Sequence, residues 1–304
     1  MRALINLLFF PGGLFLIVLA LAYEYADRKL IARFENRIGP RWFQTVADIV
    51  KLLVKEEITP ATAHPVLFGV LPVVAMSGAL TAALYVPLLG FRPALSFPGD
   101  LVVTLYLLSL LTMSIGIAGW NSTSRFTMVG ATRALTQLFS YEAPFMLALL
   151  GPAVVARSWQ ISEIVATNKG AWILLTQPFG FLVALIGLMG KLEMPPFDAP
   201  KAETEIVAGA LTEYSGRGLG LFHLGKEIEL LVGLTLIASL YMGGIANPLD
   251  FFVKTLVLLG ILCTFHSILT RLRIDQTVGL WWRYGAVVVL AQWLVLIAWK
   301  GIVA

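Results

Sequence analysis

Long apolar runs separated by short charged segments dominate this chain. Eight runs reach or approach the roughly 20 residues that a helix needs to cross a bilayer core. They span residues 3–23, 66–91, 101–119, 135–156, 171–190, 219–243, 251–269 and 284–299. Backbone groups in lipid must be hydrogen-bonded within their own segment, and these runs are too long for barrel strands, so each is predicted to be a helix. The pattern therefore predicts an all-α membrane protein with eight transmembrane helices, in which residues 1–304 form a single integral membrane domain.

The segment between the first two runs has a helical pattern of its own. Four apolar residues recur at helical spacing, and four polar residues occupy the opposite face. The apolar set is Val46, Ile49, Val50 and Leu53, and the polar set is Gln44, Asp48, Lys51 and Lys55. We therefore expect an amphipathic helix that lies along the membrane surface or beneath a partner protein.

Composition agrees with a membrane protein and narrows the chemistry. Hydrophobic residues make up 58% of the 304 positions and charged residues only 13%. A single cysteine excludes an internal disulfide, and three scattered histidines offer no metal-ligand spacing. We expect this chain to hold no metal or nucleotide of its own.

The basic residues predict the orientation in the membrane. Sixteen of the 22 Lys and Arg residues fall in segments that share one side, and six fall on the other. Because basic residues are retained on the cytoplasmic side, the large loops at about residues 27–63 and 191–218 are predicted to be cytoplasmic. Both termini are then external, and the protein is a multi-pass protein of the cell membrane.

Acidic residues concentrate in and after the fifth loop. Seven of the 18 carboxylates lie between Glu193 and Glu229. Carboxylates beside and inside membrane spans are costly to desolvate and are usually retained for ion or proton handling. The candidate ion-coupling residues are Glu142, Asp198, Glu203, Glu205, Glu213, Glu227 and Glu229.

Two features of the sequence allow a structural interpretation as well as a functional one. Glu142 could bond the backbone that Pro144 frees, or it could line a polar path and exchange protons. The group Asp27, Arg28, Glu35 and Arg37 could anchor the first helix at the membrane edge, or it could clamp a docked protein.

Several ordered motifs resemble one known family over most of the chain. They are the stretch from Asp27 through Asn36-Arg37-Ile38-Gly39-Pro40, Val46-Ala47-Asp48 with Lys51, Ala118-Gly119-Trp120, Gly130-Ala131 with Arg133, Ser140-Tyr141-Glu142, Pro196-Phe197-Asp198, Glu203 with Glu205, Glu213-Tyr214-Ser215-Gly216, and Asp275-Gln276. Together they resemble subunit 1, also called the H subunit, of respiratory complex I and its counterparts in energy-converting membrane hydrogenases.

The resemblance implies a membrane anchor beneath an electron-transfer arm. In this family the first and fifth loops help to form a quinone cavity, and the carboxylates open a path toward antiporter-like membrane subunits. Asp27 and the candidate ion-coupling acids named above would then couple electron transfer to proton or sodium translocation. Docking residues or charge partners would be Arg28, Glu35, Arg37, Asp48, Lys51 and Arg133. Iron–sulfur clusters would lie in soluble partner subunits.

Some positions depart from the family's usual pattern and favour its hydrogenase or sulfur-reducing branch. Lys201 and Lys226 stand where acids are usual, Asp27 replaces glutamate, and only residues 41–45 separate Pro40 from the surface helix. The main expectation is therefore a ferredoxin-fed complex with hydrogenase-like large and small subunits, a nickel–iron centre in a partner, and no quinone reduced at this chain. The alternatives are the quinone-site H subunit of NADH:quinone oxidoreductase and, in another class, a stand-alone proton- or cation-coupled transporter.

Overall fold

Helices form nearly all the regular secondary structure. The computed structural model describes residues 12–168 and 170–303, and that part of the chain contains no strand. Its α-helices, in chain order, are α1 Gly13–Phe34, α2 Gln44–Val54, α3 Pro65–Ala83, α4 Asp100–Asn121, α5 Arg125–Ala156, α6 Ile161–Thr167, α7 Ile173–Thr176, α8 Pro178–Leu192, α9 Glu203–Ile206, α10 Gly216–Tyr241, α11 Pro248–Ile268, α12 Ile274–Leu280 and α13 Ala286–Val303. A π-helical turn, Trp281–Gly285, joins α12 to α13.

Five helices are long and apolar enough to cross a membrane, counting only the residues that the structure describes. They are Pro65–Ala83, Asp100–Asn121, Arg125–Ala156, Pro248–Ile268 and the continuous stretch Ile274–Ala298. The all-helical membrane class is therefore confirmed, whereas the number eight stays a prediction. Residues 3–11 of the first predicted span lie outside the described residues. The 15 residues of α8 reach only about 22 Å at 1.5 Å per residue, and α10 carries four charged residues, Arg217, Lys226, Glu227 and Glu229.

Helix α10 lies at the centre of the bundle. Every residue from Ile228 to Tyr241 is buried. It packs against α1, α2, α3, α8 and α11. Glycines allow close approach, since a Cβ on Gly233 would lie 2.4 Å from Leu188 of α8. Two charged side chains of α10, Lys226 and Glu229, are therefore surrounded by protein.

The predicted surface helix is present as α2, but it buries less of its apolar face than the spacing suggests. Ile49 packs against Leu21 of α1 and Leu224 of α10. Val46 and Val50 are exposed, as is the neighbouring Trp42. These exposed apolar side chains are consistent with a helix that faces lipid or another subunit.

The first and fifth loops touch each other. The backbone nitrogen of Ile58 donates a hydrogen bond to Ser215 Oγ. Gly216 has a positive φ of 61°, and a Cβ there would lie 2.8 Å from the carbonyl oxygens of Lys55 and Glu56. A side chain at residue 216 would push the two loops apart.

The predicted topology can be tested with reporter fusions. Reporters placed after Pro40 and within residues 200–209 should be cytoplasmic, because basic residues are concentrated in those loops. A reporter after Ala304 should be external. Alkaline phosphatase and a fluorescent protein, fused at the same positions, report opposite sides. A cytoplasmic carboxyl terminus would exclude the eight-helix arrangement.

Candidate ion-coupling site

A buried lysine lies between a buried carboxylate and a partly buried one inside the bundle. Lys191, in the last turn of α8, is 1% exposed and donates a hydrogen bond to Glu142 of α5, with 3.3 Å between Nζ and Oε2. The second carboxylate is Glu229 of α10, whose Oε1 lies 3.8 Å from the same nitrogen. Ser109 of α4 donates a short hydrogen bond to the other oxygen of Glu142. Three helices thus contribute to one ionic group, which we call the Lys191 cluster: Lys191, Glu142 and Glu229. A fourth helix, α4, supports it through Ser109.

Glu142 therefore has side-chain partners within the bundle. Both of its hydrogen bonds in the described residues go to side chains, Ser109 and Lys191, and not to the backbone near Pro144. Lys191 also lies 5.7 Å from the ring centre of Tyr141 and 5.8 Å from that of Phe145. The aromatic faces add favourable electrostatics for a cation that has left water.

A second ionic group lies where the fifth loop begins. Glu193 is buried, ion-paired with Lys226 of α10, and lies 3.5 Å from Lys201 Nζ. Burial alone would raise the pKa of Glu193, but Lys226 and Lys201 outweigh it and hold that pKa below its usual value. The carboxylate stays ionised near neutral pH and would be protonated only as the pH falls through this lowered value.

Helix α1 carries a third group. Arg28 ion-pairs with Glu24 of the same helix and with Asp48 of the surface helix, the latter at 3.1 Å. Asp27 accepts a hydrogen bond from the buried Cys263 of α11, at 3.2 Å. Glu227 of α10 interacts electrostatically with Glu24 and Asp27. This arrangement brings the predicted Asp27, Arg28, Asp48 and Glu227 together between α1, α2 and α10.

The remaining fifth-loop acids are near the surface. Arg271 holds Asp198 with two hydrogen bonds of 2.8 Å each, and the bond to Asp198 raises the pKa of Arg271. Glu205 pairs with Arg133 at 2.6 Å. Glu203 is exposed and Glu213 is half-buried, and neither belongs to an ion pair in the described part of the chain. Of the expected docking residues, Arg37 pairs with Glu35 at the surface and Lys51 is exposed.

A cavity of about 320 Å³ opens beneath the fifth loop. Apolar side chains line most of it, including Leu219, Phe222 and Tyr214. Polar groups converge on it from the fifth loop, which contributes Glu193, Lys201 and Glu203, and from α10, which contributes His223 and Lys226. A mostly apolar cavity with a few placed polar groups suits a small organic ligand with a polar head.

Six members of these groups were not among the residues selected from the sequence as candidates: Glu24, Lys191, Glu193, Lys201, Lys226 and Arg271. Glu24, Lys191 and Glu193 are all buried. Lys191 and Glu193 lie at the end of a 20-residue apolar run, where a basic residue is readily interpreted as a topology marker. The signal that could have identified Lys191 is its place in the last turn of α8, between apolar neighbours.

Known proteins resemble this chain over nearly its whole length. The family model described as NADH dehydrogenase matches residues 6–298. One NADH-quinone oxidoreductase H subunit of Geobacter sulfurreducens, the one numbered 2, is 36% identical, over 89% of this chain and 89% of the relative. The corresponding H subunit of Dehalococcoides mccartyi is 34% identical over 89% of this chain and 79% of the relative, and that of a Geobacillus species is 33% identical over 91% and 89%. The resemblance inferred from the motifs is confirmed, and the chain belongs to the NADH dehydrogenase subunit 1, or H subunit, family of complex I-like oxidoreductases.

Proposed function

We propose that this chain is the quinone-site H subunit of a complex I-like NADH:quinone oxidoreductase and that it couples quinone reduction to ion translocation. The observation that carries the proposal is the series of buried ionic groups that leads from the fifth-loop cavity to the middle of α10. The chain does not transfer electrons itself. Iron–sulfur clusters belong to soluble partner subunits, and the electrostatic change caused by quinone reduction passes from this chain to antiporter-like membrane subunits.

Two observations favour quinone over protons or sulfur compounds as the electron acceptor. The relatives from Geobacter, Dehalococcoides and Geobacillus are named as NADH-quinone oxidoreductase subunits. In addition, Lys226, which as a free charge would disfavour a quinone tunnel, is ion-paired with Glu193. The cavity wall at α10 is therefore less positive than the sequence alone suggests.

The coupling would be electrostatic. Reduction of a quinone to a quinol consumes protons, and a charge change at the cavity acts most strongly on ionic groups shielded from water. Glu193 lines the cavity, and Lys226, its partner, is on the same helix as Glu229. A charge change at the cavity can therefore reach the Lys191 cluster through one helix.

The acceptor can be identified with the intact complex. Membranes containing it are supplied with NADH or with reduced ferredoxin, each with and without a short-chain ubiquinone analogue. Quinone-dependent turnover is the expected result. Hydrogen or sulfide release without quinone, together with nickel in the purified complex, would instead establish the hydrogenase-like alternative.

Two matched variants connect the acceptor to the cavity. Ala208 lines it, whereas the exposed Thr204 is not among its lining residues. Ala208→Trp should raise the KM for the quinone analogue by roughly tenfold, equivalent to about 1.4 kcal/mol of binding. Thr204→Trp should leave that KM within twofold of the wild type. Equal KM values for both variants would mean that quinone binds elsewhere.

A further inference from the structure

The Lys191 cluster does not balance its charges when fully ionised. It holds one ammonium and two carboxylates, and Lys191 and Glu229 are 1% and 0% exposed. An uncompensated buried charge costs several kcal/mol, so such a group takes up a proton rather than keep the excess charge. The nearest other cation on α10, Lys226, is already occupied by Glu193. The cluster is neutral when one proton is shared between Glu142 and Glu229.

The two carboxylates are not equivalent. Glu142 has hydrogen bonds from both Ser109 and Lys191. Neither oxygen of Glu229 has a hydrogen-bond partner, although both are buried. At 3.8 Å, the contact between Glu229 and Lys191 is an ion pair without a hydrogen bond. This geometry fits an ionised Glu142 paired with the Lys191 ammonium and a Glu229 that carries the shared proton.

The opposite arrangement requires only a small movement. Lys191 has a flexible four-carbon side chain, and its nitrogen lies 3.3 Å from one carboxylate and 3.8 Å from the other. We propose that Lys191 is a mobile internal cation that exchanges partners between Glu142 and Glu229 and so moves their shared proton. When the proton passes from Glu229 to Glu142, the ammonium leaves Glu142 and pairs with the newly ionised Glu229. The ammonium keeps its own protons, and the cluster stays neutral throughout.

This inference rests on the proposed coupling function and assigns one step of it to Lys191, a residue that is not itself an acid. Lys191 is a positioning residue, since it acts on the proton through the carboxylates. A static ammonium would also set how many of the two acids are protonated, because a nearby positive charge favours the ionised form. The number of protonated carboxyls therefore tests the shared proton, and the ion-to-electron ratio tests the exchange of partners.

The test compares purified complexes by infrared absorption of the carboxylic acid carbonyl and measures ions moved per electron in vesicles. Lys191→Met should add one protonated carboxyl, because both acids are then neutral, and should lower the ion-to-electron ratio by about tenfold. Lys191→Arg, which keeps the charge, should retain the wild-type number. Glu229→Gln should remove one protonated carboxyl. Lys254→Met is the matched control, since Lys254 is also a helix lysine paired with an acid, Asp250, but lies at the Gly244 end of the bundle.

An unchanged number of protonated carboxyls and an unchanged ion-to-electron ratio in Lys191→Met would overturn the proposal. If Lys191→Met does not assemble, the loss of one protonated carboxyl in Glu229→Gln still tests the shared proton, and its absence would overturn the proposal. Turnover without quinone would contradict the proposed function alone, because the infrared comparison does not depend on the electron acceptor.

Discussion

Glu142→Gln is expected to leave the complex assembled and to abolish ion translocation. Glutamine keeps the volume, and its single carbonyl oxygen can still accept the hydrogen bond from Lys191, while its amide group can donate to the Ser109 hydroxyl that now donates to Glu142. It cannot take up or release a proton, and it leaves Glu229 as the only anion beside Lys191 among the described residues. We expect the number of ions moved per electron to fall to background, while the amount of assembled complex stays near that of the wild type.

The matched control for this variant is Glu163→Gln. Glu163 accepts a hydrogen bond from Ser158 at 2.5 Å, as Glu142 does from Ser109, but it lies in the short helix α6 away from the Lys191 cluster. Ion movement in vesicles and complex content on native gels should be measured together. Normal ion gradients in Glu142→Gln would mean that this carboxylate has only a structural role.

Gly130→Val is expected to displace the fifth loop and to remove quinone-dependent activity. A Cβ on Gly130 of α5 would lie 2.4 Å from the backbone nitrogen of Ala210 and 2.5 Å from the backbone carbon of Gly209. The clash is with backbone, which cannot move aside as a flexible side chain can. Gly209 has no room to retreat, because the site of its own missing Cβ lies 2.1 Å from the carbonyl oxygen of Pro200. Overpacking of this kind typically costs about 1–3 kcal/mol, and occasionally more.

Gly69→Val provides the comparison, because a Cβ at Gly69 of α3 meets nothing within 4 Å. Thermal inactivation and limited proteolysis of the fifth loop should separate the two variants. Gly130→Val should be cleaved faster and inactivated at a lower temperature, and Gly69→Val should match the wild type. A protease-resistant, active Gly130→Val complex would contradict the close packing of α5 against the loop.

The sequence predicted the helical membrane class and the surface helix because both depend on local periodicity. Hydrophobic runs and the spacing of Val46, Ile49, Val50 and Leu53 are visible without any knowledge of the fold. The buried side of α2 was harder to predict, since Ile49 is covered by Leu21 and Leu224, which approach from two distant helices. Tertiary contacts therefore decide which part of an apolar face is buried.

The ionic groups were only partly predictable for the same reason. Glu142 and Glu229 were identified because acids within apolar runs are costly. Their partner Lys191 is 49 positions from Glu142, and no local pattern joins residues at that separation. Lys226 was identified from the sequence as a positive charge where an acid is usual, and only the fold brings Glu193 to it. The preference for a hydrogenase-like complex rested partly on that charge, and the compared relatives favour the quinone-linked alternative.

The fifth loop is fastened to the bundle at three points that do not lie on one helix. Glu193 is held by Lys226 of α10, Asp198 by Arg271 just before α12, and Glu205 by Arg133 of α5. Because three separated ion pairs attach the loop, it cannot rotate about a single axis as a hinged flap would. A displacement at one ion pair therefore also strains the other two. Salt should weaken the two partly exposed ion pairs, whereas the buried pair at Glu193 is shielded from screening.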